Sequence, residues 1–283
     1  MSTNKLFNIS IKFLILALFF DMSKVYANLL ITPTRIEFEQ RDRSAKVSLV
    51  NTSQETKTYK VFWREQRQAV DGKYIPLIDN DNDFLSASSM IRYSPRQVTL
   101  QPGERQHIRL AVRKPKALAQ GEYRSHLVFE AQPDRRNKEN NPKKQAEMKI
   151  YINLAFSIPI IIRQGDLHTD TRLAKVKLIT KEINGTNHIG ASIYINNTST
   201  SSTLGSLKVF FQKDEQSQEK KIGILNNVAI YPEVSNRIIT IGFTNHDIEN
   251  GIMRIEYQGS DNFKGTTFFN ERVVVTQSDY KSE

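Results

Sequence analysis

From Met148 to Arg163 the chain reads MKIYINLAFSIPIIIR, and the alternation in this stretch decides the fold. The even positions, Met148, Ile150, Ile152, Leu154, Phe156, Ile158, Ile160 and Ile162, are all apolar. The odd positions mix Lys149, Tyr151, Asn153, Ala155, Ser157, Pro159, Ile161 and Arg163. A side-chain period of two belongs to a β-strand and excludes an amphipathic helix. At about 3.3 Å per residue, a strand over 147–163 would run about 45 to 50 Å. A domain of about 130 residues is only about 30 Å across, so part of the apolar side must overhang it.

An exposed flat apolar edge invites aggregation, and proteins usually blunt it with Lys, Pro or a bulge. The apolar positions from Met148 to Phe156 carry none of these. Such an edge is explained as a docking strand: main-chain hydrogen bonds hold the guest, and alternate side chains fill its pockets. Met148, Ile150, Ile152, Leu154 and Phe156 form the candidate pocket-filling set. Pro159 lacks an N–H and suits an edge or bulge, which predicts a break there, with Ile160 and Ile162 entering the core.

Working outward, period-two windows recur along the chain and no long window shows three-and-four spacing. The chain reads as all-β. Strands are predicted at 29–38, 45–51, 58–66, 91–100, 106–112, 123–131 and 147–163, with turn signals at Asp71-Gly72, Pro102-Gly103 and Gly121. The second half repeats the style at 172–180, 188–196, 206–212, 219–224, 236–243, 251–257 and 266–275. Two immunoglobulin-like β-sandwich domains follow, at 28–163 and 167–277. The polar segment 133–145 reads as a loop between two long strands, and 278–283 as a frayed tail.

Lys5 and Lys12 precede the apolar run FLILALFF at 13–20, and Val25-Tyr26-Ala27 supplies a small-residue cleavage site, so residues 1–27 read as a signal peptide. An apolar run of eight is too short for a membrane anchor, and no later stretch could span a bilayer, so no stable membrane insertion is expected. The chain carries +10; losing Lys5, Lys12, Lys24 and Asp21 removes three positive charges and one negative and leaves +8. A secreted basic protein meets carboxylates and proteins more readily than nucleic acid, so no nucleic-acid partner is expected. There is no cysteine, which excludes disulfides, thiolate metal sites and Cys nucleophiles.

Enzyme chemistry finds no local support. His107, His126, His168, His188 and His246 show no metal-ligand spacing, and no GxSxG elbow or phosphate-cradling Gly loop occurs. The acidic run at 79–83 lacks the Gly and the final Glu of a calcium loop, Phe84 and Met90 standing in those places. The single Trp63 reads as a core residue of its strand. No catalytic residue, metal or cofactor is expected.

Several segments carry a resemblance: TPTRIEFE (32–39), SPRQVTLQPGERQHIRL (94–110), GEYRSHLVFEA (121–131), SIPIIIR (157–163) and GILNNVAIYPE (223–233). Together they resemble the periplasmic pilus-assembly chaperones, the PapD-like family, and within it the archaic chaperone-usher branch. The resemblance implies two immunoglobulin-like domains set as an L. It also implies a periplasmic chaperone that holds pilus (fimbrial) subunits by donor-strand complementation until they reach an outer-membrane usher. When free, such a chain would self-associate through its donor edge. The alternative reading is a secreted structural or adhesive sandwich protein, such as a pilus subunit.

In the family a cleft Arg and a cleft Lys grip the subunit's terminal carboxylate. The Arg maps onto Arg35 through T-R-x-x-F, while Pro159 stands where the Lys would lie. Arg124, on the strand expected to pair with the long one, is the first candidate for the second cation and Arg96 the next, since a planar guanidinium can hold a carboxylate with two parallel bonds.

Overall fold

Eleven strands build the first half: β1 (Leu29–Thr32), β2 (Ile36–Phe38), β3 (Ser44–Asn51), β4 (Lys57–Arg64), β5 (Gln66–Gln68), β6 (Tyr74–Pro76), β7 (Ile91–Ser94), β8 (Gln97–Leu100), β9 (Arg105–Val112), β10 (Gly121–Ala131) and β11 (Ala155–Gln164). They come from a computed structural model that describes residues 29–77, 83–133, 154–183, 186–244, 248, 250–276 and 280–282. One sheet runs β1-β3-β9-β7 and the other β2-β11-β10-β4-β8. Neighbours are antiparallel except β2 and β11, which pair in parallel at Ile160–Ile36 to Ile162–Phe38. The alternation seen in the sequence sends Val47, Leu49, Ile108 and Leu110 of one sheet against Tyr59, Val61, Leu127, Phe129, Ile160 and Ile162 of the other. This is the two-layer burial of a sandwich.

Two predicted strands are split. The 29–38 segment leaves one sheet after Thr32 and joins the other at Ile36, and 91–100 does the same between Ser94 and Gln97. Each switch carries a proline, Pro33 or Pro95, following a cis peptide bond. A residue without an N–H cannot continue a ladder, so the strand ends and resumes in the facing sheet. The 58–66 segment likewise divides into β4 and β5, and β5 forms a hairpin with β6 across the expected Asp71-Gly72 turn. Gly72 has φ of 87°, and a Cβ there would lie 1.9 Å from the Arg237 guanidinium, so only glycine fits.

The second half contributes β12 (Thr171–Ile183), β13 (Thr186–Asn197), β14 (Thr203–Gln212), β15 (Lys220–Ile230), β16 (Asn236–Gly242), β17 (Gly251–Gly259), β18 (Thr267–Val275) and β19 (Tyr280–Ser282). Its sheets run β16-β13-β12-β19 and β15-β14-β17-β18 around a second core that includes Ile193, Leu207, Val209, Ile239, Ile255 and Tyr257. The frayed tail is corrected here: Tyr280–Ser282 pairs in parallel with Leu178–Thr180. The three residues are held by main-chain bonds, which a polar sequence does not reveal. The strand predicted at 219–224 continues to Ile230, through a register shift and an Asn227 with φ of 57°. Asn226 and Asn227 form a bulge inside β15 opposite Ser206.

Candidate functional site

β11 pairs with β10 along its whole length, from Ala155 opposite Glu130 to Gln164 opposite Gly121. Its other side meets β2 only at Ile160, Ile161 and Ile162. Among the described residues, positions 155–159 therefore pair with no strand on that side. Burial along the apolar face follows the same gradient. Ile162, Ile160 and Ile158 are fully inside the first core, Phe156 is half-buried against it, and Leu154 is 43% exposed. Positions 147–153, where the overhang is expected, lie outside the described residues.

Two corrections attach to this strand. It runs through Pro159 without a break, with Ile158 buried on the far side of the proline. Pro159 sits where the β2 side is open, the kind of place in a sheet that tolerates a missing N–H. Phe156 is not free for a guest in this state, because β10 extends to Ala131 and places Phe129 opposite it. Of the pocket-filling set, only Leu154 is both described and exposed; Met148, Ile150 and Ile152 lie outside the described residues. So do most of the segment 133–145 expected to be a loop, residues 1–27 expected to be a signal peptide, and residues 79–82 of the acidic run.

The strand's odd face leads to the second feature. Arg124, Ile161 and Glu37 form one cross-strand row on the sheet's outer face, and Glu122 and Arg163 adjoin it. This face meets the second half of the chain. Arg163 pairs with Glu37 at 2.9 Å, Glu39 at 3.1 Å and Glu122 at 3.1 Å, and donates to the Ser202 carbonyl at 3.3 Å. Glu122 in turn accepts from the Ser202 N–H and hydroxyl at 2.9 and 2.8 Å. Glu37 also accepts from Asn262 at 2.7 Å.

Arg35 donates from Nε to Glu37 at 2.5 Å, and its terminal nitrogens reach the Ser202 hydroxyl at 2.6 Å and the Tyr231 hydroxyl at 3.3 Å. Arg124 is 3% exposed, holds both Glu233 oxygens through its terminal nitrogens, and lies 3.6 Å from the Tyr231 ring centroid. The hairpin completes the junction. Gln68 bonds Glu233 and the Ala229 carbonyl, and the Val70 carbonyl accepts from the Ile238 N–H at 2.9 Å and from Arg237 at 2.8 Å.

Electrostatics here is strongly coupled. Burial works against the Arg35 charge, yet Tyr231, Glu37 and Glu122 outweigh it and hold the guanidinium above its usual pKa. Burial alone would raise Glu37, but Arg35 and Arg163 hold it below the usual carboxylate range. His126, stacked edge-on against Tyr74 at 4.7 Å, is pushed down to about 3 by burial first and then by the Arg124 and Arg35 charges. Its ring nitrogens have no partner among the described residues.

The structure brings Arg35 and Arg124 together around Tyr231, and neither waits with an empty guanidinium. Arg124 is the clear departure: it already holds a carboxylate, Glu233. The partners that sequence reasoning missed, Glu122, Ser202, Tyr231 and Glu233, stand 39 to 196 residues from the arginines they contact. Tyr231 and Glu233 do stand in the YPE end of GILNNVAIYPE, where the pair reads only as a strand end. Among the described residues there is no group of acidic or histidine side chains suited to a metal ion, and no helix long and apolar enough to cross a membrane.

These features define a class: a two-sandwich protein in which β11 has one side without a neighbour over 155–159, among the described residues, and a charged junction beside it. No family model and no curated protein matches the chain. Among solved structures it is similar to the CupB2 chaperone of Pseudomonas aeruginosa, at 12% identity over 87% of this chain and 99% of that one, with a TM-score of 0.46. It is also similar to a chain of the SafB chaperone complex with the SafA pilin of Salmonella enterica, at 13% identity over 89% and 98%, TM-score 0.46. A third similarity is to the CsuC–CsuE chaperone–tip adhesion subunit complex of Acinetobacter baumannii, at 14% identity over 88% and 99%, TM-score 0.43. At this distance the likenesses assign nothing, and the functional reading rests on the edge and the junction.

Proposed function

We propose that the chain is a periplasmic chaperone that lends the open edge of β11 to pilus subunits lacking a strand, and passes them to an outer-membrane usher. The observation that supports this is the unpaired side of residues 155–159, running into an apolar face whose exposure grows from Ile158 to Leu154. A guest strand added there would satisfy the free main-chain groups, and its pockets would receive Leu154 together with Ile152, Ile150 and Met148 upstream. Phe156 would join the set where the guest draws it off its own core.

The carboxylate anchor we assign first to Arg35. Its terminal nitrogens meet two neutral hydroxyls, which a guest carboxylate can replace without breaking an ion pair. It also lines a cavity of about 400 Å3 with Thr32, Thr34, Glu37 and Asn262 through which a chain end could reach it. Arg124 would act only if Glu233 moved away, so its assignment is the weaker of the two. Mixing the mature protein with a pilin tests the reading: a soluble one-to-one complex is expected. No complex, with self-polymerisation of the chain instead, would favour a structural pilus component.

A further inference from the structure

A second site lies at the opposite margin of the first sandwich. β7 and β8 are the end strands of their sheets, farthest from β1 and from the β2–β11 edge. Between them, Trp63, Ser88, Ile91, Arg92, Tyr93 and Arg96 line a pocket of about 530 Å3. Trp63 packs edge-on against Tyr93 with centroids 5.4 Å apart, and the Tyr93 hydroxyl donates to the Val61 carbonyl at 3.0 Å. The Arg96 carbonyl accepts from the Val61 N–H at 2.8 Å, and its guanidinium stands 5.8 Å from the Tyr93 ring. Aromatic walls and backbone are therefore fixed before any ligand arrives.

The charge is one-sided. Arg92 and Arg96 are exposed, no acidic residue lines the pocket, and among the described residues neither guanidinium has a carboxylate partner. Arg172, exposed as they are, does hold a carboxylate, Asp170. Trp, Tyr and Arg are the residue types that concentrate binding energy at protein interfaces. A concave site of this size accepts side chains, whereas attraction to an anionic membrane relies on a longer cluster of basic residues.

We propose that this pocket docks an acidic segment of a second protein, its carboxylates on Arg92 and Arg96 and an apolar neighbour against Trp63 and Tyr93. The site goes beyond the capture of a guest, because a strand added at β11 leaves it open. Trp63 is the only tryptophan of the chain, so its fluorescence reports on the pocket directly. The mature protein is titrated with a short synthetic peptide alternating Glu and Leu, with the same peptide carrying Gln for Glu, and with vesicles rich in an anionic lipid. The Glu peptide should give a saturable change in Trp63 emission that weakens as salt rises. The change should be roughly tenfold weaker or more in an Arg92→Gln/Arg96→Gln variant. An equal response to the Gln peptide, to the vesicles or in the double variant overturns the proposal, as does no response to the Glu peptide. Pilin capture by the double variant is expected at the wild-type level; its loss would place these arginines in guest binding and overturn a separate site.

Discussion

At the scale of single residues, the junction shows why the two candidate arginines differ. Arg124 is buried and its terminal nitrogens hold Glu233, so Arg124→Ala strands a carboxylate that then has only Gln68 and solvent. Breaking a buried pair costs about 3 to 5 kcal/mol. Arg35→Ala leaves Glu37 still paired with Arg163, and a loss of about 1 to 3 kcal/mol is expected. Denaturant unfolding should rank Arg124→Ala below Arg35→Ala in stability; the reverse order would break the assignment of partners. His126 makes a separate prediction. Its folded pKa of about 3 lies below the unfolded value near 6.5, so the unfolded chain binds the extra proton between those values. Stability is therefore whole above about pH 6.5 and falls as pH drops. Between pH 7 and 5, before carboxylates titrate, the loss should be about 2 kcal/mol, and His126→Leu should remove it. An unchanged acid slope in that variant would contradict the burial argument.

At the scale of elements, β11 was legible from alternation alone, because a period of two over eight apolar positions admits no other element. What alternation could not give was where the sandwich stops covering it. That depends on β10 reaching Ala131 and on β2 pairing only at 160–162, both properties of neighbours distant in sequence. The strands at 29–38 and 91–100 failed for a different reason: both halves alternate correctly, and only the proline at each switch tells that they belong to different sheets. The junction was half legible. Arg35 stood out through the T-R-x-x-F resemblance and Arg124 through its strand pairing with the long one, whereas Ser202, Tyr231 and Glu233 come from the other sandwich and leave no local signal. The element makes its own prediction. Leu154→Asp should leave unfolding within about 0.5 kcal/mol of wild type but abolish pilin capture, since a guest pocket would receive an unpaired charge. Ile158→Ala, inside the core, should cost about 2 to 5 kcal/mol. Normal capture by a folded Leu154→Asp protein would remove this strand from the interface.

At the scale of the whole molecule, the two sandwiches are joined by polar contacts more than by a shared core: their buried apolar residues form separate clusters. Arg163, Glu122 and Ser202 link them at one place, Arg124 and Glu233 at a second, and the hairpin carbonyl of Val70 with Arg237 and Ile238 at a third. Three separate ties resist rotation about any one of them, which keeps Ser202 and Tyr231 of the second sandwich against Arg35. A guest that placed its chain end at Arg35 would have its strand directed along residues 159 to 154. The central claim is that this edge receives a strand, and backbone amide hydrogen exchange tests it most directly. With the mature protein alone, the amides between Leu154 and Ile158 that face away from β10 should exchange fast; with a pilin bound they should slow by orders of magnitude, as added ladder bonds require. A stable complex in which those amides exchange as fast as in the free protein would contradict it.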